Sequence, residues 1–473
     1  MKKLGLILGL IWCIALAGFA GDGNGHKIKI KINGYQDTTC YLAGYYGAKE
    51  YYKDTAFFDA NGVCIFEGDE ELPGGIYSVV LNNFKLFEFI VKEQEFSLET
   101  DTGKLIENMQ VKGSIENELF FDHFRLVASL QKESGELDKK LKQLNAEGKK
   151  DTAAIVKKRL KDIGSEVGNY KEKIIKDYPS TLLSKIFKGM KDPTIPDAPK
   201  DEEGKQLDSL FQYKYLKAHY WDNIDFSDSD ILRTPIYHNR MVQYIKKLVP
   251  QIPDSINKSA DILINKTRAN DEIFRYTLGK ITYMYETSKI MGMDAVFVHL
   301  ADKYYMTNQA FWVDSVQLFK ISDRVRSIKP TLIGKQAPPI YHMKDQDGKL
   351  IPLYSVDANL LIVIFWDPDC GHCKKEMPKL KDVCQKYKDD EVKVYAVCTE
   401  VEQGKWIKYI ENDSTGWIHV ADFELRSPFR ELYNIDSTPK VFVLDKNKKI
   451  IAKHISHEQL DDILSRKFRR NHE

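Results

Sequence analysis

Residues 359–366 read NLLIVIFW. A strand with one wet face alternates apolar and polar residues. Seven apolar residues in a row require burial on both faces. Such a strand lies in the middle of a sheet with helices packed on both sides, the layering of an α/β domain. The flanks agree. MKDQDGKLIPL (343–353) reads as a hairpin around Asp347-Gly348. Downstream the pattern gives a helix (370–388), a strand VKVYAVC (392–398), a helix (402–412) and a strand WIHVADF (417–423). A short helix (427–433), the pair KVFVLD (440–445) and KIIAKHI (449–455), and a helix from about 457 follow. This order predicts a mixed central sheet over 333–473.

The rest of the chain has other periods. At 473 residues it is long enough for about three domains. From 26 to 113 come short β-branched and aromatic runs, HKIKIKING, TTCYLAGYY, TAFFD, GVCIFEG, GIYSVVL, FEFIV and EFSLET, punctuated by Gly, Asn, Asp and Pro. They predict an all-β, antiparallel sandwich or barrel. From 114 to 332 the period becomes helical. Leu126, Leu130, Leu137, Leu141 and Leu144 form one stripe; Val156, Leu160, Ile163, Val167, Tyr170 and Ile174 form another. NAEGKKD turns between them, which makes a helical hairpin. Pro179 ends its second helix and Ser180 is placed to cap the next. KDPTIPDAPKDEEG (191–204) reads as an exposed linker. Neither region shows a catalytic constellation or a repeat.

Lys2-Lys3, an apolar run from Leu4 to Ala20 and the small-x-small Gly18-Phe19-Ala20 have the layout of a secretory signal over 1–20. The alternative is an uncleaved anchor, and membrane contact is expected only in that case. A lipid anchor on Cys13 fits poorly, with Trp12 where a small residue is wanted. The expected location is outside the cytoplasm, in a bacterial periplasm or cell envelope, where disulfide chemistry persists. Lys+Arg 70 against Asp+Glu 69 leaves a net charge of +1 and no electrostatic reason to expect nucleic acid. The basic run Lys157–Lys161 lies among acids and reads as a solvated helix face.

Immediately after the apolar run stands FWDPDCGHCKKEMP (365–378), with two cysteines two residues apart. Structural zinc wants four ligands in two close pairs. Here there is one pair, and Cys384 lies eleven residues along the same helix, roughly 16 Å away. No metal site is expected. A c-type haem needs CxxCH, but Lys374 follows Cys373. A peroxidatic cysteine would want Pro-xxx-Thr-xx-Cys, and Asp367 holds the Thr position. A dithiol explains the neighbourhood better. At a helix start Cys370 meets unpaired N–H groups and the positive end of the dipole, both of which stabilise a thiolate. His372 can add charge, and Gly371 leaves room for a partner disulfide. Cys373, one turn deeper, is placed to resolve a mixed disulfide. Pro378 cannot donate to residue 374 and should kink the helix. No cofactor is called for beyond the Cys370–Cys373 pair itself.

Residues 333–473 resemble the thioredoxin superfamily, and within it the exported TlpA/ResA-like thiol–disulfide oxidoreductases. The resemblance is carried by IGKQAPPI (333–340), by IFWDPDCGHCKKEMPKL, with Trp366 as the aromatic before the loop, and by STPKVFVLDKNKKI (437–450). It implies a thioredoxin-like fold and a cis-proline at Pro439, after Thr438, beside the dithiol. It also implies that Glu376 serves Cys373 as acid/base partner, because Ile364 stands where thioredoxins carry a buried Asp. The regions ahead resemble domains of unknown function fused to such enzymes.

The CGHC dipeptide is that of protein disulfide isomerase, whereas the TlpA/ResA-like branch resembles reductases, so the direction of transfer stays open. The implied partners are disulfide- or thiol-containing envelope proteins and an unidentified electron donor or acceptor. A homodimer is compatible with the sequence. The competing readings are an envelope scaffold carrying a thioredoxin module, and a thiol peroxidase. Cys384 and Cys398 read as core residues, with a third redox thiol the alternative for Cys398. Cys40 and Cys64 share the β-rich domain, and cross-sheet geometry decides whether they pair.

Overall fold

A computed structural model describes residues 25–387, 392–411 and 413–469. The expected signal segment, 1–20 with Cys13, lies outside them. Among the described residues no helix is long and apolar enough to cross a membrane. The chain divides into two compact units, one up to Tyr244 and one from Ile245.

In the first unit, β1 (His26–Asn33), β2 (Thr38–Tyr46), β3 (Lys49–Phe58), β4 (Val63–Gly68), β5 (Gly75–Leu81), β6 (Phe84–Val91), β7 (Glu95–Asp101) and β8 (Gln110–Lys112) are the strands. They form two sheets, ordered β4-β1-β7-β8 and β3-β2-β5-β6. Alternation decides which side chains face in: Ile28, Ile30 and Ile32 of β1 meet Leu42, Val79 and Phe89 of the other sheet in one core. That is a sandwich. It is not wholly antiparallel, since β1 and β7 run parallel. Between these two the chain crosses to the other sheet and returns twice, and strands joined by a long connection can share a direction where hairpin partners cannot.

α1 (Ile115–Ala146) and α2 (Lys150–Asp177) form the expected hairpin, closed by Leu137, Leu141, Leu144, Val156 and Leu160. α3 (Leu182–Met190), α4 (Phe211–His219) and α5 (Pro235–Gln243) follow. The cap of α3 is Thr181, which accepts from the Ser184 N–H, and not Ser180. The Thr side chain is in place because Thr181 itself holds the extended backbone an N-cap needs.

The second unit opens with α6 (Pro253–Lys266), α7 (Asp271–Glu286), α8 (Asp294–Leu300) and α9 (Ser315–Ile328). So the helical stretch 114–332 is shared between the two units. The α/β part comprises β9 (Leu360–Trp366), α10 (Gly371–Lys386), β10 (Val392–Cys398), α11 (Gln403–Ile410), β11 (Ile418–Val420), α12 (Phe429–Leu432), β12 (Lys440–Asp445), β13 (Ile450–Lys453) and α13 (His457–Arg469). Its sheet is ordered β11-β10-β9-β12-β13. β9 pairs parallel with β10 and antiparallel with β12, so the sheet is mixed. All seven residues of β9 are buried. Leu360, Ile362, Ile364 and Trp366 face a core built with α10, α11 and α13, and Leu361, Val363 and Phe365 face the core holding Phe429 and Tyr433. The segment 333–340 binds the β12–β13 hairpin, with the Gly334 N–H on the Ile450 carbonyl and the Ala337 N–H on the Lys448 carbonyl.

Candidate active site

The dithiol sits where the central strand hands over to α10. β9 ends at the buried Trp366, whose carbonyl accepts from the Thr399 N–H, and whose ring lies 4.3 Å from that of Tyr409. Cys370 is the N-cap residue of α10, with extended backbone. It is therefore half-buried beside the first free N–H groups of the helix. Cys373 is one turn in, on the stripe Cys373, Met377, Leu380 and Cys384 that packs under β9, and it is 1% exposed. The same geometry that gives one sulfur to solvent gives the other to the core.

The two thiols differ accordingly. Burial acts to raise Cys370, but the Thr438 side chain and the N–H groups of Cys373 and His372 outweigh it and hold the thiol below its ordinary value. Burial pushes Cys373 up to about 11, and the neighbouring Cys370 adds to this. The Asp367 N–H, 3.5 Å from the Cys373 sulfur, acts in the opposite direction. Cys370 is thus the thiol that ionises first.

Opposite the pair, the Thr438–Pro439 peptide is cis, the isomer that the resemblance implies. The Cys370 Sγ–H donates to the Thr438 carbonyl at 3.3 Å. A groove of about 580 Å³ runs past this point, lined by His372, Glu376, Thr438, Pro439, Lys440 and His457 among others. His372 is exposed; what reaches Cys370 is its backbone N–H. A Cβ at Gly371 would meet no atom within 4 Å, so the fold does not demand glycine there and the space above the dithiol stays open. α10 continues past Pro378 to Lys386.

Glu376 lies a turn beyond Cys373, at the rim of the groove. Its carboxylate accepts from Lys379 Nζ at 3.0 Å, and its other oxygen is 2.8 Å from His457 Nδ1. The Lys379 ammonium and the His457 ring together hold it below the usual carboxylate range. Ile364, on the strand, is fully buried in the same core as Cys373. Lys379 and Lys440 are not among the site residues the sequence points to, and neither is His457. It starts α13, 81 positions from Glu376, and no local pattern links the two.

The remaining cysteines of this domain are buried. Cys384 packs on the α10 stripe, and Cys398 ends β10 in register with Trp366. Burial pushes both thiols up to about 12. Among the described residues no group of three His, Cys, Asp or Glu side chains is arranged to hold a metal ion.

Comparison with known proteins gives relatives for the domain that holds these residues. Residues 333–453 match the model of the AhpC/TSA family. Residues 26–120 and 177–330 each match a domain of unknown function. Among curated relatives, a thiol-disulfide oxidoreductase ResA of Bacillus cereus is 27% identical over 145 residues, covering 28% of this chain and 78% of the relative. ResA of Bacillus anthracis is 28% identical over 137 residues with the same coverage. Among solved structures, a domain of a possible thiol-disulfide isomerase from Cytophaga hutchinsonii is 42% identical. It matches 29% of this chain and 95% of its own, with a TM-score of 0.28. A thioredoxin-like protein from Bacteroides caccae is 19% identical over 58% of this chain and 98% of its own, with a TM-score of 0.44. The C-terminal part of the chain therefore belongs to the thioredoxin-like domains of the AhpC/TSA family, alongside the ResA thiol-disulfide oxidoreductases.

Proposed function

We propose that the chain is an exported thiol–disulfide oxidoreductase that exchanges its Cys370–Cys373 dithiol or disulfide with disulfides or thiols of envelope proteins. The observation that carries this reading is the split between the two thiols, Cys370 lowered and half-buried, Cys373 raised and buried. An enzyme of this class needs one sulfur that attacks and one that waits.

The cycle follows from that split. The Cys370 thiolate attacks a substrate disulfide; one substrate sulfur becomes bound to Cys370 and the other leaves as a thiolate. Cys373 then loses its proton and attacks the Cys370 sulfur. The Cys370–Cys373 disulfide forms, the substrate leaves as a dithiol, and two electrons have passed to it. Glu376 is the proposed acceptor of the Cys373 proton, with Lys379 and His457 holding its carboxylate. An electron donor then reduces the pair, and the reverse cycle runs the same steps backwards. The groove along Thr438 and Pro439 is the proposed seat of the substrate chain. Export rests on the sequence of residues 1–20.

Reduction of insulin by dithiothreitol, followed as turbidity, tests this reading. The wild-type chain should shorten the lag and Cys370→Ser should not. A folded wild-type sample with titratable thiols and no acceleration would favour a scaffold instead. Peroxide consumed with a thiol donor at a comparable rate would favour a peroxidase.

A further inference from the structure

Cys40 and Cys64 lie outside the site described above, and nothing in its chemistry uses them. Cys40 is on β2 opposite Ala56 of β3, and Cys64 is on β4 opposite Ile30 of β1. β2 and β4 belong to different sheets of the sandwich. Both side chains point inward, at 0% and 1% exposure, and their sulfurs are 3.3 Å apart. A buried cysteine is ordinarily a small apolar filler. Two fillers on facing sheets have no reason to bring sulfur onto sulfur, because any pair of carbons would fill that space. A bonded pair needs sulfurs at about 2.05 Å. The gap closes by roughly 1.3 Å, within reach of side-chain rotation on strands already held at sheet-packing distance.

We propose that Cys40 and Cys64 close an inter-sheet disulfide that staples the β-rich domain. It ties β2 to β4 across the intervening strand β3. The closed loop spans 24 positions, so the bond removes closure entropy from the unfolded chain. The pair is fully covered, so the bond forms as the sandwich folds and then resists exchange. It is a structural bond and not a second catalytic pair. The oxidant is a small disulfide such as glutathione disulfide. One cysteine thiolate attacks it, releasing one glutathione thiol; the second cysteine attacks the mixed disulfide, releasing the other. Two S–H bonds are lost, one S–S bond is gained, and two electrons pass to glutathione.

The test uses the full chain carrying Cys370→Ser and Cys373→Ser, so that no active-site disulfide serves as oxidant. The reduced, unfolded protein is refolded with glutathione disulfide, blocked with N-ethylmaleimide and digested without reductant. The expected product is a Cys40–Cys64 linked peptide pair, about 2 Da lighter than the two free peptides. The oxidised chain should also melt about 5 °C or more above the same chain kept reduced. That difference should vanish in a Cys40→Ala/Cys64→Ala version. Both cysteines modified by maleimide when the oxidant-treated chain is denatured in its presence would overturn the proposal, as would linkage of either to another cysteine. Equal melting of the oxidised and reduced forms would refute the stapling role.

Discussion

At the scale of the residue, the chemistry turns on where α10 begins. Had the helix started one residue earlier, Cys370 would lose its place at the free N–H groups. The reduced chain should show this in its alkylation by iodoacetamide. Cys370 should react through a midpoint below that of an ordinary thiol, since a lowered thiol is thiolate at lower pH. Cys373 should titrate near 11. A single midpoint at the ordinary value for both would refute the split. Glu376 is tested separately. Glu376→Gln keeps the shape but not the base, so resolution of the mixed disulfide should slow on the order of 100-fold, with the first attack little changed. His457→Ala should give part of that effect, because it frees the carboxylate that the ring holds at 2.8 Å. Rapid acid quench and counting of mixed-disulfide species reads both, and unchanged resolution would make Glu376 a solvated helix residue. The Cys370–Cys373 pair is legible in the sequence because CxxC between a buried strand and a helix is a local pattern, whereas Pro439 and Glu376 stand out only through the family resemblance. His457 is legible in neither way, since only the tertiary fold brings α13 to the rim.

At the scale of the element, burial pattern decided what could be read. β9 announced itself because a strand between two partners has no wet face, and all of its residues are buried. β8 is three residues long and gives no periodic signal. The parallel pairing of β1 with β7 is invisible for a different reason: side-chain alternation is the same in both directions, and only the path of the chain sets direction. The join between α1 and the sandwich is equally non-local. Asn117 is fully buried; its Oδ1 accepts from the Ile90 N–H at 2.8 Å and its Nδ2 donates to the Ile90 carbonyl at 2.7 Å. One side chain thus covers the open edge of β6. Asn117→Ala strands both backbone groups and should cost about 2–4 kcal/mol in urea unfolding of the first unit. A loss under about 0.5 kcal/mol would mean that water reaches that edge.

At the scale of the whole molecule, the period changes near 113 and 333 are visible in sequence, but the division at Tyr244 is not. It depends on which helices share a core, and a helical stripe does not name its partner. In the second unit a buried ion pair joins helix to sheet: Lys453 of β13, 5% exposed along its side chain, meets Asp294 of α8, and its N–H donates to Met291 Sδ at 3.4 Å. Burial holds the lysine below its usual value, against the pull of Asp294. Asp294→Asn leaves that charge without a partner and should destabilise the second unit by about 3 kcal/mol at neutral pH. Because the folded value is depressed, the unfolded chain binds the extra proton, and the loss should shrink as pH rises toward the unfolded lysine value. A pH-independent loss would point to packing instead. The central claim, one attacking and one resolving sulfur, is tested most directly by trapping. Reduced Cys373→Ala and Cys370→Ala chains are mixed with a peptide disulfide, acid-quenched and weighed intact. The expected result is a stable one-peptide adduct on Cys370 in the first and almost none on Cys373 in the second. Equal adducts in both, or adduct only on Cys373, would contradict it.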